Sequence, residues 1–279
     1  MPPPAHLVKG LRGQCALSCS TSRSTEPPTK ELTVPVRPAV PTLPPPQVVI
    51  LAAGMGTRLG RPHPKPLTPL RDGRTILRHQ LDRIAAAFGA DTPVMVVVGF
   101  KMDLIMEAAP DAVFVYNEVY DQTNTSKSLL KALRHTPPGG VLWMNGDVVF
   151  TDSLLADLVG TIAAGSSFIC VNTESVAEEE VKYTLDGDGH VKDLSKQVPD
   201  ALGEAVGINY VAAEDKAVLI DHLERCDAQD YFERGIETAI AEAGLRFRAV
   251  DISRHGCVEV DFDADLDRAN TLEVGRDAR

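Results

Sequence analysis

Gln47-Val-Val-Ile-Leu-Ala-Ala-Gly-Met-Gly-Thr-Arg-Leu59, followed closely by Pro64-Lys-Pro-Leu67, is the stretch on which the reading of this chain turns. Residues 47–52 are an apolar run rich in β-branched side chains, the pattern of a strand covered on both faces. The run leads directly into Ala53-Gly54-Met55-Gly56-Thr57-Arg58. Glycines let the backbone take φ > 0 and approach a ligand closely. Successive N–H groups then form an anion nest. Arg58 and Lys65 bring two cations to the same loop. Together these features point to a polyphosphate held at the carboxyl end of a strand in an open α/β sheet.

Other glycine loops fit less well. Gly54, Gly56 and Gly60 have roughly the spacing of a dinucleotide-binding turn. However, Pro62, Pro64, Pro66 and Pro69 forbid the long helix that should follow it. The second strand ends Val98-Gly-Phe-Lys101, without the acid that would hold a ribose. A Walker loop needs Gly-Lys-Ser/Thr, which is missing here. A dinucleotide turn would also leave Arg58 and Lys65 without an evident role, and a purely structural turn stays as an alternative.

The rest of the chain sets bounds on this reading. It has 279 residues, 44% of them hydrophobic, enough for a full core. A net charge of -11 argues against a nucleic-acid partner. No apolar run reaches the ~20 residues of a membrane span. Lys9 and Arg12 lack the apolar stretch of a signal peptide. The 5 cysteines are odd in number and irregularly spaced, so no disulfide framework is expected and a cytoplasmic location fits. Residues 1–45 are rich in Pro, Ser and Thr without periodicity, and a disordered tail is expected there. Residues 46–279 form the expected domain.

Within that domain, strand patterns at 47–52, 93–99, 112–116, 140–145, 167–172 and 206–212 alternate with amphipathic stretches at 75–88, 101–108, 126–135, 152–164 and 214–225. This predicts a doubly wound, mainly parallel mixed sheet of α/β class. Val181–Leu185, Asp186-Gly-Asp-Gly189 and His190–Leu194 read as an inserted β-hairpin. A helix over 230–243, strands near 246–252 and 257–260, and a helix over 263–275 close the domain. Trp143-Met-Asn-Gly-Asp147 and Val258-Glu-Val-Asp261 each end a strand on a carboxylate. Such a pair can hold Mg²⁺ with phosphate oxygens completing the shell. Asp261 has a second reading, as the cap of the helix that follows.

Leu51–Leu59 with Pro64–Leu67 resembles the signature of nucleotidyltransferases that make nucleoside-diphosphate sugars and alcohols. Asn117-Glu-Val-Tyr120 and Asn124-Thr-Ser-Lys-Ser128-Leu129 are similar to a segment of bacterial phosphocholine cytidylyltransferases and their phosphonate and inositol-phosphate relatives. Glu180-Val-Lys182, Asp193-Leu-Ser-Lys196, Gly203–Ile208, Asp230-Tyr-Phe-Glu233 and Glu259-Val-Asp261 extend the resemblance over roughly 47–275.

The resemblance implies a Rossmann-like, GT-A-like nucleotidyltransferase fold and a cytidylyl transfer from CTP to a phosphate or phosphonate monoester, with Mg²⁺ on Asp147 and Asp261. It implies catalytic roles for Arg58 and Lys65. Leu51, Ala52, Ala53, Gly54, Met55, Gly56, Thr57, Asn117, Asn124 and Ser128 would bind the nucleotide. Lys182, Lys196, Glu204, Tyr231 and Glu233 would face the acceptor. Read without the resemblance, Asn124 or Thr125 is equally a helix cap, and exposed strand lysines such as Lys182 and Lys196 are usually just solvated or blunt an edge.

The phosphocholine enzymes carry aromatic residues just after the position of Asn124, where this chain has Thr125, Ser126 and Lys127. A quaternary ammonium needs an aromatic cage, so choline fits poorly. Rival readings are a sugar-1-phosphate nucleotidyltransferase using UTP, dTTP or GTP, a glycosyltransferase, and a non-catalytic nucleotide-binding regulator. Asn145, standing where a glycosyltransferase would carry the first acid of an Asp-x-Asp motif, counts against the second. The expected assembly is a monomer or homodimer.

Overall fold

The computed structural model describes residues 46–174, 176 and 180–274, so the tail expected over 1–45 lies outside the described residues. The strands are β1 (Gln47–Ala52), β2 (Val94–Val98), β3 (Val113–Tyr116), β4 (Val141–Asn145), β5 (Val148–Phe150), β6 (Phe168–Asn172), β7 (Lys182–Leu185), β8 (Val191–Ser195), β9 (Gly203–Val211), β10 (Arg248–Asp251) and β11 (Cys257–Glu259). The helices are α1 (Ile76–Phe88), α2 (Met102–Ala108), α3 (Thr125–His135), α4 (Ser153–Ala163), α5 (Lys216–Arg225), α6 (Phe232–Ala243) and α7 (Asp263–Val274).

The main sheet has the order β10-β6-β9-β4-β1-β2-β3. β9 runs antiparallel to both β4 and β6, while the β10–β6, β4–β1, β1–β2 and β2–β3 pairs are parallel. The mixed, mainly parallel α/β sheet expected from the alternation of patterns is borne out. The β7–β8 hairpin hangs from the first residues of β9, with Lys182 opposite Glu204 and Tyr183 opposite Gly203.

The two-residue period of β1 divides the core. Val48, Ile50 and Ala52 pack with Leu77 and Ile84 of α1, Ile105 of α2 and Leu154 and Leu158 of α4. Val49 and Leu51 pack with Leu129 and Leu133 of α3, Leu223 of α5 and Ile236 of α6. Trp143 on β4 meets Phe232 of α6 edge-on at 5.7 Å. Each large apolar side chain fully buried in this way contributes roughly 1.5–3 kcal/mol. Among the described residues, no helix is long and apolar enough to cross a membrane.

Two elements differ from the sequence expectation. β9 starts at Gly203 rather than 206, because its first residues pair with β7. β5 was not expected at all. It pairs antiparallel with β11 in a separate two-stranded sheet, with Val148 opposite Glu259. A three-residue strand directly after β4 carries too little periodicity to be seen, and its partner lies at the far end of the domain.

Candidate active site

The chain runs from β1 outward to β2 and β3, then returns to place β4 on the other side of β1. This reversal opens a crevice at the carboxyl ends of β1 and β4, where open α/β sheets bind ligands. The glycine loop leaves β1 on one side of the crevice, and the turn carrying Asp147 leaves β4 on the other.

After the buried strand residues Leu51 and Ala52 and the buried Ala53, Gly54 and Met55 are exposed. Gly56 has φ 61°, and a Cβ on it would lie 2.6 Å from Lys65 Cγ. The stem of Lys65 therefore rests on the bare face of Gly56. Thr57, Arg58 and Leu59 make one 3-10 turn, and Lys65, Pro66 and Leu67 make another. The prolines keep this segment as short turns until α1 begins. Lys101, itself left-handed at φ 47°, donates from Nζ to the Pro62 carbonyl and ties the loop to the end of β2. Gly56→Ala is expected to lower kcat at least tenfold by displacing Lys65, and to cost about 1–2 kcal/mol of stability through its left-handed backbone. Steady-state kinetics and thermal unfolding of the variant measure both effects.

Asp147 lies between β4 and β5. Gly146 N donates to Leu51 O at 2.9 Å, and a Cβ on Gly146 would sit 2.8 Å from Pro66 Cγ, so only glycine lets the turn approach the loop this closely. Val260 N donates to Asp147 O at 3.0 Å, which brings the end of β11 alongside. Leu59, next to Arg58, and Val260, next to Asp261, are buried in one small apolar cluster with Val149 and Ile76. The four charged groups meet as a result. Lys65 Nζ donates to Asp147 Oδ2 at 3.2 Å and also to Asp261 Oδ1. Arg58 donates to Asp261 Oδ2 at 2.8 Å. The capping alternative for Asp261 falls to another residue, since Asp265 Oδ2 accepts from Asp261 N at 3.1 Å and Phe262 N at 2.8 Å.

The charges of this cluster shift one another. Burial pulls the Lys65 pKa down, but the charges and hydrogen bonds of Asp147 and Asp261 outweigh it and hold the ammonium above its ordinary value. Asp261 sits below the usual carboxylate range because Lys65 and Arg58 outweigh its burial. Asp147 is raised by burial and by the neighbouring Asp261 charge, with Lys65 acting against both. Both carboxylates converge on a single ammonium, so their oxygens already surround a cation-sized position. Paired carboxylate oxygens suit a hard divalent cation whose remaining ligands come from substrate. No group of three or more His, Cys, Asp or Glu suited to a metal ion occurs among the described residues, so phosphate or water must complete such a shell.

The middle segment is built from neutral groups. Buried Asn117 donates from Nδ2 to Thr123 Oγ1 and Ser128 Oγ, each at 3.1 Å. Asn124 caps α3, with its Oδ1 accepting from Thr125 N at 2.8 Å and its Nδ2 donating to Gln229 O at 3.3 Å. Asn117 and Ser128 are thus brought together, whereas both polar atoms of the Asn124 side chain bond to backbone.

The expected acceptor residues also gather. Lys182 Nζ donates to Lys196 O at 3.1 Å, and Lys196 Nζ sits 4.7 Å from the centre of the Tyr231 ring. Glu204 Oε1 accepts from Asn172 Nδ2 at 3.2 Å. Glu233 Oε2 is buried without a hydrogen-bond partner. Its pKa is raised to about 7, first by burial and then by the Glu180 charge, against the pull of Lys196.

The sequence reading assigned no role to Glu180 or Glu259. Burial and the charges of Glu204 and Asp261 hold Glu180 above the ordinary carboxylate range, against the pull of Lys196 and Arg58. Glu259 Oε1 accepts from Gly207 N at 2.8 Å. The signal for Glu259 was its place in Val258-Glu-Val-Asp261, which the sequence reads as one strand end with alternate side chains on one side, although β11 stops at Glu259.

A glycine loop, two cations and two converging carboxylates thus lie together at the carboxyl ends of β1 and β4. The chain belongs to the MobA-like NTP transferase domain family, whose model matches residues 48–242. It is 30% identical over 251 residues to the CMP-5'-(3-aminopropyl)phosphonate synthase of Streptomyces rubellomurinus, an alignment covering 83% of this chain and 39% of that protein. It is 35% identical over 122 residues to the bifunctional protein GlmU of Saccharophagus degradans, covering 43% of this chain and 26% of that protein. This chain thus spans well under half of either relative. Among solved structures, the inositol-1-phosphate CTP transferase from T. maritima superposes with a TM-score of 0.65 at 15% identity, over 83% of this chain and 98% of that one. The CTP:phosphocholine cytidylyltransferase LicC of Streptococcus pneumoniae gives 0.64 at 18%, over 82% and 99%. The resemblance read from the motifs is borne out at the level of family, and the chain carries a nucleotidyltransferase domain.

Proposed function

We propose that this chain transfers a cytidylyl group from CTP to a small phosphate or phosphonate monoester and releases pyrophosphate. The observation that carries the proposal is the bridge from Lys65 to both Asp147 and Asp261, set opposite the glycine loop. In an in-line displacement, an acceptor oxygen forms a bond to the α-phosphorus while the bond to the β-phosphate oxygen breaks. No covalent intermediate is needed, so the protein acts by positioning and by charge. The Gly54–Gly56 backbone and Arg58 hold the β- and γ-phosphates. Lys65 leaves its carboxylates for the α-phosphoryl group as the equatorial oxygens gain charge. Asp147 and Asp261 would hold Mg²⁺, which supplies charge neutralisation between the two phosphate-bearing reactants.

The lean to CTP rests on the Asn117–Ser128 segment and on the phosphonate relative that aligns with most of this chain. Lys182 and Lys196 are assigned to the acceptor phosphate. Tyr231, Glu204 and Glu233 are assigned to its far end, with Glu233 pairing an amine. An acceptor screen with a nucleotide panel and Mg²⁺, read by product mass, tests this. Product formation only from UTP or dTTP with sugar 1-phosphates would overturn the cytidylyl assignment. Nucleotide binding without pyrophosphate release would favour a silent regulator.

Glu233 adds a pH dependence. Its folded-state pKa of about 7 lies above the ordinary value of 4.5, so the folded chain retains a proton that the unfolded chain releases. Its contribution to stability is therefore complete below the ordinary value and is lost as pH rises through about 7. The melting temperature of Glu233→Gln should gain on that of the parent between about pH 5 and about pH 8. In the same range, KM of the parent for an aminoalkyl acceptor should fall as Glu233 ionises, and the variant should lose that trend.

A further inference from the structure

Gln80 belongs to α1, a helix that contributes no charged group to the crevice, and it is 1% exposed. Its single amide nitrogen donates twice, to Asn145 O at 2.8 Å and to Val148 O at 2.9 Å. These two carbonyls flank Gly146 and Asp147. The side chain thus clamps both ends of the turn that carries one of the two convergent carboxylates. We propose that Gln80 is a positioning residue for Asp147, fixing the turn between β4 and β5 so that the carboxylate meets Asp261 around one cation.

The other ties of the turn run outward to neighbouring strands rather than across it. Gly146 N is tied to Leu51 O and Asp147 O to Val260 N, so the middle of the turn is anchored to β1 and β11. Asn145 pairs with Leu51 of β1 and Val148 with Glu259 of β11, and Gln80 adds a direct tie between these two ends. Val148 is fully buried, so loss of the amide would strip its carbonyl of a partner in an apolar place. The turn would then relax, and Asp147 would move with it. Displacements well under 1 Å matter for a group that must share a cation with a second carboxylate. The α1 face below is fixed in turn. His79 Nε2 pairs with Asp72 at 2.9 Å, and the Arg83 guanidinium reaches both His79 and Asp152. The helix is therefore a rigid platform rather than a mobile neighbour.

The proposal rests on the nucleotidyl-transfer reading of the site, and the test separates the two. The full chain and Gln80→Met, which keeps the volume and removes both donors, are titrated with Mn²⁺ in the presence of CTP. Free Mn²⁺ is read by electron paramagnetic resonance, and pyrophosphate release is measured alongside. Gln80→Met should need about tenfold more Mn²⁺ for half-saturation, with a similar fall in kcat. Its KM for the acceptor should stay within about twofold of the parent, as expected when the lost contact lies away from acceptor binding. Adding the substitution to Asp147→Asn should cost little more, because both act on the same carboxylate. Mn²⁺ curves and kcat per folded molecule identical to the parent, with only the melting temperature lowered, would show a purely structural role and overturn the proposal. Should Gln80→Met fail to fold, Gln80→Asn reaches at most one of the two carbonyls and should show the same Mn²⁺ shift in smaller measure. An unshifted curve for that variant overturns the proposal as well. If the parent binds no Mn²⁺ with any nucleotide, the reading of the site fails first.

Discussion

Lys65→Ala should turn over CTP about a hundredfold more slowly than the parent while keeping its fold, the usual effect of losing one preorganised contact worth ~3 kcal/mol in the transition state. The ammonium is tied to two carboxylates and rests on Gly56 rather than on the core, so its removal leaves the packing of the sheet intact. A second effect has the opposite sign. In the free protein Lys65 competes with any divalent ion for Asp147 and Asp261. Without it, Asp147 loses its ammonium partner and Asp261 keeps Arg58. Lys65→Ala should therefore bind Mn²⁺ more tightly than the parent when no nucleotide is present, although it catalyses worse. Calorimetric titration and pyrophosphate release measured on the same preparation check both. Unchanged turnover would remove Lys65 from the mechanism.

Asp261→Asn should have the largest effect of any single change, with kcat down about a thousandfold, the upper end for loss of one preorganised electrostatic group. It removes half of the paired carboxylate set and releases both Arg58 and Lys65 from their shared partner. The helix after β11 should survive, because Asp265 rather than Asp261 accepts the two N–H groups there. The expected signature is normal thermal unfolding, loss of Mn²⁺ binding in the presence of CTP, and failure of extra metal to restore turnover. Activity within tenfold of the parent would mean that the pairing with Asp147 does not serve catalysis.

The parts of this site legible in the sequence were those with local signatures. β1 and its glycine loop form one uninterrupted segment, and the prolines around Lys65 announce short turns. The carboxylates at 147 and 261 were visible as strand ends. Their closeness was not visible, because it depends on β5 and β11 pairing across most of the domain. Gln80 gave no signal, since a glutamine on an amphipathic helix reads as surface until the helix is packed. Asn124 shows the opposite case: its helix-cap pattern was local and its hydrogen bonds are those of a cap. The role of Asp265 was hidden because Asp261, Asp263 and Asp265 all precede or open one helix, and spacing alone does not choose among them.

The two-stranded sheet of β5 and β11 also bears on when the protein becomes competent. Arg58 and Asp261 are separated by 203 positions, and Lys65 and Asp261 by 196. During synthesis the amino-terminal part emerges first, so the loop, β4 and the first acid can be in place while the second is still unmade. Contacts this distant in sequence form late. If the loop and both acids act as proposed, docking of β11 is the step that completes the site, because it brings Asp261 to Asp147 and Lys65.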